Sequence, residues 1–149
     1  KSYYAEAHNN LGDAYIRQGR YQEAIIQLTE ALRISPHYAE AHNNLGIVYT
    51  YQGKYQEAIV QLTEALRIKP HYAEVHNNLG IVYTYQGRYQ EAIAQFTEAL
   101  QIKSYYAEAH NNLGDAYIRL GDSNSAFKEY QILKKMNPGL ANGFYRKTK

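Results

Sequence analysis

The sequence predicts an all-α fold in which four tandem helix-turn-helix repeats of 34 residues stack into an α-solenoid. The octet AEAHNNLG begins at Ala5 and returns at Ala39, at Ala73 (with Val75 in place of alanine) and at Ala107. Apolar residues follow helical spacing within each repeat, and glycine or proline ends each predicted helix. Because two short amphipathic helices cannot bury both of their apolar faces alone, the repeats must stack on one another.

The first helix of the first repeat is predicted near Ala5–Gln18. It ends at Gly19, which suits the left-handed conformation that often follows a helix C-terminus. The glycines that end the equivalent helices are Gly53, Gly87 and Gly121. The apolar residues predicted to share one face of the first helix are Ala7, Leu11, Ala14 and Tyr15.

The second helix is predicted near Tyr21–Ile34 and stops before Pro36, because proline cannot continue a helix interior. Pro70 and Pro138 repeat this stop, and Ser104 stands where the third proline is expected. The residues predicted to form its apolar face are Ala24, Ile25, Leu28, Ala31 and Leu32. Gly12 and Ala24 are small, which predicts that the two helices touch closely there.

The predicted boundaries follow from the repeat period. Residues 5–38, 39–72, 73–106 and 107–140 are interpreted as the four repeats. Residues 1–4 copy a junction between repeats, Lys103–Tyr106, and are interpreted as the remnant of a preceding junction in a longer array. Residues 141–149 are interpreted as a C-terminal cap and basic tail. The segment after Pro138, with Leu140, Phe144 and Tyr145, is expected to add one short covering turn.

Residues at fixed offsets connect the repeats with a known family. In the first repeat they are His8, Leu11, Gly12, Tyr15, Ala24, Leu28, Ala31 and Pro36. This pattern resembles the tetratricopeptide repeat, with histidine where the family often has a bulkier residue. The resemblance implies a right-handed superhelix whose first helices line a concave groove, in which extended peptides bind.

Composition argues against several other classes of function. The formal net charge is only +2, from 16 basic and 14 acidic residues, which is too balanced for a nucleic-acid binder. No apolar run is long enough to span a bilayer, so no membrane insertion is expected. The absence of cysteine excludes disulfides and thiolate metal sites, and it leaves the compartment open, with the cytoplasm favoured.

An asparagine pair recurs on the polar stripe of every first helix. A carboxamide can pair with both the C=O and the N–H of an extended peptide without reading its sequence. The second asparagine of each pair also resembles the asparagine ladder in the repeats of O-GlcNAc transferase, where it holds the main chain of target peptides. The candidate peptide-binding asparagines are Asn9 with Asn10, Asn43 with Asn44, Asn77 with Asn78, and Asn111 with Asn112. The alternative is that they are solvated polar residues copied along with the repeat.

The residues after each octet differ between repeats and are candidates for selectivity. The two central repeats carry an aliphatic and an aromatic residue that can anchor an apolar side chain of a partner. These residues are Ile47 with Tyr51 and Ile81 with Tyr85. The outer repeats carry Asp13 with Arg17 and Asp115 with Arg119, which are four residues apart and expected to pair with each other. Arg17 and Arg119 are also candidate peptide contacts.

Glutamates on the same stripe argue against binding of a C-terminal carboxylate and favour a neutral or basic peptide. They are Glu6, Glu40, Glu74 and Glu108. The histidines at the fourth position of each octet are expected to pack rather than to bind metal, because one per repeat is too far apart for chelation. No catalytic constellation or phosphate-binding loop is apparent, so neither enzymatic activity nor a cofactor is expected.

These observations predict a non-enzymatic protein-interaction module that binds an extended peptide in its groove. Two alternatives remain at this point. One is a scaffold that assembles end to end through its N-terminal face. The other is the substrate-recruiting domain of a larger enzyme such as a glycosyltransferase.

Overall fold

The computed structural model describes residues 2–147, and within them the side chains of residues 3–143. In this range the chain forms nine α-helices and no strand. The helices are α1 (Ser2–Arg17), α2 (Tyr21–Ile34), α3 (Ala39–Tyr51), α4 (Tyr55–Ile68), α5 (Ala73–Tyr85), α6 (Tyr89–Ile102), α7 (Ala107–Leu120), α8 (Ser123–Met136) and α9 (Pro138–Lys147). None of them is long and apolar enough to cross a bilayer. The predicted all-α fold of consecutive helix-turn-helix pairs is therefore confirmed.

The first compact unit contains α1 to α4 and ends at His71. The helices pack as the pairs α1/α2 and α3/α4, and α3 also packs against both helices of the first pair. Its buried core joins residues of α2 and α3, which pack their apolar faces against each other, and Tyr15 and Ile16 of α1 pack against this core. The buried core residues are Ala24, Leu28, Ala31, Ala41, Leu45 and Val48.

The second compact unit begins at Tyr72 and contains α5 to α9. It repeats the arrangement of the first unit, with the pairs α5/α6 and α7/α8 and with α6 packed against α7. The buried core residues are Ala92, Phe96, Leu113 and Ala116. Helix α9 packs against α7 and α8, where it buries Ala141.

The glycines that follow the first helices adopt the predicted conformation. Gly121 follows α7 with a φ of 88°, in the left-handed region that a β-carbon makes costly. Gly19, Gly53 and Gly87 have φ values between 71° and 72°. In each repeat the turn therefore reverses the chain tightly enough for the second helix to return along the first.

The glycine of the octet has a different purpose, which is close contact between paired helices. A β-carbon added at Gly12 would lie 2.7 Å from Cγ of Leu28, and one at Gly80 would lie 2.5 Å from Cε1 of Phe96. Because real β-carbons do not approach other atoms so closely, these positions accept no larger side chain without displacement. The predicted close approach at Gly12 is confirmed.

Both ends of the chain differ from the sequence-based expectation. Helix α1 begins at Ser2 rather than near Ala5, so Ser2–Tyr4 are helical, whereas the same residues form the turn after α6 at Lys103–Tyr106. That turn closes through a hydrogen bond from the Tyr106 N–H to the carbonyl of Lys103. Lys103 is also the C-cap residue of α6. Local sequence alone therefore does not decide the conformation of this segment.

The C-terminal cap is a ten-residue helix, α9, rather than one short turn. Pro138 suits a first helical position, and the Asn137 side chain accepts a hydrogen bond from the Leu140 N–H at 3.2 Å. Leu140 remains 38% exposed. The side chains of Phe144 and Tyr145, which were expected to cover the array, lie outside the described residues.

Candidate functional site

The second asparagine of each octet stays accessible on the first helix of its pair. Asn10 is exposed, and Asn44, Asn78 and Asn112 are half-buried. A carboxamide in such a position can still offer hydrogen-bonding groups to a bound molecule. These residues therefore remain candidates for peptide binding.

The first asparagine of each octet is instead buried in the first three repeats. Asn9 and Asn43 are 7% exposed, and Asn77 is fully buried. This corrects the prediction that both asparagines face a ligand. The residue lies at the boundary between the polar stripe and the packing face, and in each unit the first helix of the following repeat packs beside it. Asn111 in the last repeat is half-buried.

Two of the buried asparagines, Asn9 and Asn77, bond to the second asparagine of the next repeat. In the first unit, Nδ2 of Asn44 donates to Oδ1 of Asn9 at 2.9 Å. In the second unit, Nδ2 of Asn112 donates to Oδ1 of Asn77 at 3.0 Å. Sequence reasoning found both members of these pairs but not their contact, because the two residues are 35 positions apart in neighbouring repeats.

Asn77 has two further partners that complete its hydrogen bonding. Its Nδ2 donates to Oε1 of Glu108 at 3.3 Å, and its side chain is hydrogen-bonded to the Tyr106 hydroxyl. Burial raises the pKa of Tyr106 far above its ordinary value, the nearby Glu108 and Glu74 carboxylates raise it further, and the bond to Asn77 opposes them. The hydroxyl therefore stays protonated. A buried amide whose groups are paired in this way is held in one orientation.

A cavity of about 540 Å³ opens beside Asn112 in the second unit. It combines the candidate residue types predicted from the sequence, with Ile81, Tyr85 and Arg119 in its wall next to Asn112. The remaining lining residues are Thr84, Gln86, Gly87, Tyr89, Phe96 and Asp115. This volume can hold a side chain of a bound peptide together with part of its main chain.

The apolar candidates divide into exposed rings and partly buried aliphatic side chains. Tyr51 and Tyr85 are 62% and 63% exposed, whereas Ile47 and Ile81 are half-buried, and Ile81 packs against the core of the second unit. In the first unit the ring of Tyr51 stacks on Tyr21 with centroids 5.6 Å apart. The tyrosines rather than the isoleucines thus present the larger apolar surface.

The two predicted Asp–Arg pairs form. Arg17 Nε donates to Asp13 at 2.9 Å, and Arg119 Nε donates to Asp115 at 3.2 Å. Arg119 is also hydrogen-bonded to the hydroxyl of Tyr89, and these two contacts raise its pKa. The guanidinium is therefore held at the wall of the cavity. Because Asp115 offsets its charge, the wall is polar rather than strongly cationic.

Lysines that sequence reasoning missed reduce the negative charge of the stripe. Lys69 lies 3.5 Å from Glu40, and Lys103 lies 3.3 Å from Glu74. The signal in the sequence is a lysine 29 positions after the glutamate, just beyond the end of the second helix. Because neither pair is fully buried, both add little stability, but they reduce the negative charge that would favour a basic ligand.

Nδ1 of each recurring histidine forms a hydrogen bond within its own repeat. Nδ1 of His8, His42 and His76 lies 2.7–2.8 Å from Oε1 of a glutamine on the following helix. In the last repeat the partner of His110 is a carboxylate, Glu129, at 2.6 Å. Within the described part of the chain, no group of three potential metal ligands comes together.

Three family models match the chain. A model described as tetratricopeptide repeat matches residues 3–71, one described as TPR repeat matches residues 82–121, and a second tetratricopeptide repeat model matches residues 107–139. Together with the paired helices, these matches show that the chain belongs to the tetratricopeptide repeat family. Proteins of this family are generally protein-interaction modules.

Solved structures with the same fold come from several proteins. The structure of MamA matches with a TM-score of 0.78 and 27% identity, over 97% of this chain and 80% of that one. PilF of Pseudomonas aeruginosa matches with a TM-score of 0.87 and 25% identity, over 97% and 68%. An O-GlcNAc transferase of Thermobaculum terrenum matches with a TM-score of 0.83 and 25% identity, over 88% of this chain but only 26% of the enzyme. No curated protein sequence gives a significant match.

Proposed function

We propose that this chain is a non-enzymatic interaction module that binds an extended peptide segment along the first helices of its repeats. The observation that carries the proposal is Asn112, which lines the cavity of the second unit while one of its amide N–H groups is held by a buried neighbour. Its carbonyl oxygen and second N–H can then pair with the main chain of a peptide. Asn44 has the equivalent bond in the first unit.

Hydrogen bonds to the main chain alone give weak binding. Each rung of the ladder contributes about 0.5–1.5 kcal/mol net. Four rungs therefore supply about 2–6 kcal/mol, which corresponds to millimolar affinity or weaker over most of that range. Tighter and selective binding requires side-chain contacts in addition.

The cavity of the second unit supplies such contacts. Tyr85 and Ile81 offer apolar surface, and the paired Arg119 and Asp115 offer polar groups with little net charge. Since Lys69 and Lys103 offset two of the glutamates, an uncharged segment with an apolar side chain fits this surface best. A basic segment is the next candidate, because Glu6 and Glu108 still place negative charge on this stripe.

Replacing Asn10, Asn44, Asn78 and Asn112 together by alanine tests the ladder. The probe is an end-capped, uncharged peptide of alternating threonine and valine (the test peptide), which a main-chain ladder binds without reading its side chains. We expect its affinity, followed by NMR chemical-shift titration, to fall at least tenfold if each rung contributes near the middle of its range.

The matched control replaces four exposed glutamines away from the stripe, Gln22, Gln56, Gln90 and Gln101, by alanine. This control should leave the affinity unchanged. Circular dichroism verifies that both variants remain helical. An unchanged affinity in a folded ladder variant contradicts the proposal.

A second candidate is self-association, favoured by the exposed apolar surface of α1. Leu11 is 42% exposed, whereas the equivalent Leu45 is 4% exposed beneath the preceding repeat. Tyr3 and Tyr4 on the same helix are 85% and 70% exposed. A further copy of this chain could cover this surface as the first repeat covers the second.

A third candidate is recruitment of substrates for a larger enzyme. It is supported only by the similarity to the O-GlcNAc transferase structure. It uses the same peptide-binding surface as the first proposal. Transferase activity in a longer protein that contains this sequence, lost when the repeats are removed, would support it.

A further inference from the structure

In the proposed peptide-binding function the second asparagines are the rungs of a ladder, and buried neighbours orient their amides. Resting on that proposed function, we infer that Asn77 and Asn9 are positioning residues that fix the amide orientation of Asn112 and Asn44. They do so from the interior, without touching the peptide. Three hydrogen bonds of Asn77 in the second unit, to Glu108, Tyr106 and Asn112, support this inference.

A carboxamide oxygen and nitrogen are similar in size, so side-chain packing alone does not decide which way the group faces. A carboxylate removes this ambiguity, because an ionised carboxylate accepts hydrogen bonds but cannot donate them. Glu108 Oε1 lies 3.3 Å from the Asn77 amide. The Asn77 atom that faces Glu108 is therefore Nδ2, and Oδ1 must point the other way.

The orientation of the Asn77 amide in turn determines that of Asn112. Oδ1 of Asn77 lies 3.0 Å from the Asn112 amide and can only accept, so Asn112 must present its Nδ2 there. The reverse orientation would place two oxygens against each other beside a fully buried residue, where water cannot compensate. Oδ1 and one N–H of Asn112, a residue that lines the cavity, are then left for a bound peptide.

A fixed orientation matters because an extended peptide presents N–H and C=O groups in a set alternation. A rung that alternates between two orientations matches that register only part of the time, and binding then includes the cost of selecting the correct one. An oriented rung is already matched before the peptide arrives.

The first unit contains the equivalent asparagine pair and the equivalent tyrosine. Nδ2 of Asn44 donates to Oδ1 of Asn9 at 2.9 Å, and Asn9 is 7% exposed. The Asn9 side chain is hydrogen-bonded to Tyr38, as that of Asn77 is to Tyr106. An asparagine pair with one buried member, bonded to an equivalent tyrosine, thus occurs in both units.

The experiment compares four variants by NMR titration with the test peptide: Asn112→Ala, Asn77→Leu, the double variant, and Glu108→Gln. We expect Asn112→Ala and Asn77→Leu each to lower the affinity by about two- to tenfold, the range for one hydrogen bond. The double variant should lose no more than Asn112→Ala alone, because both substitutions remove the same oriented rung.

Glu108→Gln tests the positioning role even if the buried substitution Asn77→Leu prevents folding, because Glu108 is exposed and its replacement should not disturb the fold. A glutamine can donate as well as accept, so it permits the reversed orientation of Asn77. We expect the side-chain amide resonances of Asn112 in the free protein to shift or broaden and the affinity to fall. Gln101→Ala, an exposed substitution on α6, is the control and should change neither.

The outcomes separate the positioning role from the ladder itself. If Asn112→Ala weakens binding while Glu108→Gln leaves both the affinity and the Asn112 resonances unchanged, the positioning role is overturned and the ladder stands. If Asn112→Ala itself has no effect, the ladder fails at this rung, and the inference fails with it.

Discussion

His110 differs from the other three recurring histidines in the partners of its ring. Its Nδ1 lies 2.6 Å from Glu129, and its Nε2 lies 3.0 Å from the carbonyl oxygen of Ser104. Both partners are acceptors, so both ring nitrogens must carry protons for both bonds to form. The bond to Glu129 raises the pKa of His110, the carbonyl of Ser104 and the Glu129 charge raise it further, and partial burial opposes them. His42, by contrast, faces Pro36 O and the amide of Gln61, which can turn to donate.

This contrast predicts a pH dependence that one substitution removes. The folded-state pKa of His110 lies above the ordinary 6.5 of an unfolded chain. The charged pair therefore contributes its full stability below pH 6.5 and loses it as the pH rises through the raised pKa. Removing this pair in Glu129→Gln should lower the free energy of unfolding near pH 6, where carboxylates are ionised and His110 is protonated, by about 1.5–3 kcal/mol, the range for a charged hydrogen bond. Urea unfolding measured between acidic and alkaline pH checks this.

The chain supplies a reciprocal control. Gln61→Glu gives His42 the same pair of acceptors that His110 has, so it should introduce a similar dependence in the first unit. Equal pH profiles for the wild type and Glu129→Gln would contradict the assignment.

At the scale of the helix pair, the octet glycine decides how closely two helices approach. Gly80→Ala should destabilise the second unit by about 1–3 kcal/mol, because the new methyl group overlaps the ring of Phe96. Thermal unfolding followed by circular dichroism measures the change.

Gly143→Ala in α9 is the matched control for this substitution. There an added β-carbon meets no described atom within 4 Å, so replacing a helical glycine should stabilise by up to about 1 kcal/mol. Equal effects of the two substitutions would show that helix propensity, rather than contact with Phe96, governs Gly80.

At the scale of the whole molecule, identical octets occupy different environments. Leu11 and Leu45 have the same neighbours in sequence, yet the first is 42% exposed and the second 4% exposed. The difference arises because the first repeat packs over α3, whereas no described residue packs over the same face of α1.

This exposed surface predicts concentration-dependent association. If copies of the chain dock through α1, light scattering should show an average mass that rises with concentration, and Leu11→Asp should return it to that of the monomer. Ile26→Asp is the control, because Ile26 is as exposed as the equivalent Val60 in the second repeat and lies outside the proposed surface. A constant monomer mass at high concentration would contradict self-association.

Much of the fold followed from the sequence alone because its signals are local. Helical spacing identified the core residues Leu28 and Leu45, and glycine placed the turn at Gly121, where the backbone requires a left-handed residue. The start of α1 was wrong by three residues, since the segment before Ala5 is helical there and a turn before Ala107.

The candidate site was predicted less completely, because it depends on contacts between repeats. Periodicity placed both asparagines of the octet on one stripe, but it could not show that Asn77 lies beneath the next repeat while Asn112 lines a cavity. The lysine partners of Glu40 and Glu74 were missed for the same reason.

The sequence by itself determined that this protein is a set of paired helices with a repeated polar stripe. The physical reason is that helical periodicity, turn glycines and small contact residues act over a few positions and are written directly in the order of the amino acids. Only the tertiary structure decided which asparagine is buried, which leucine is covered and which histidine meets a carboxylate. Those outcomes depend on which neighbouring helix excludes water from a residue. The sequence of an octet does not determine which helix packs against it.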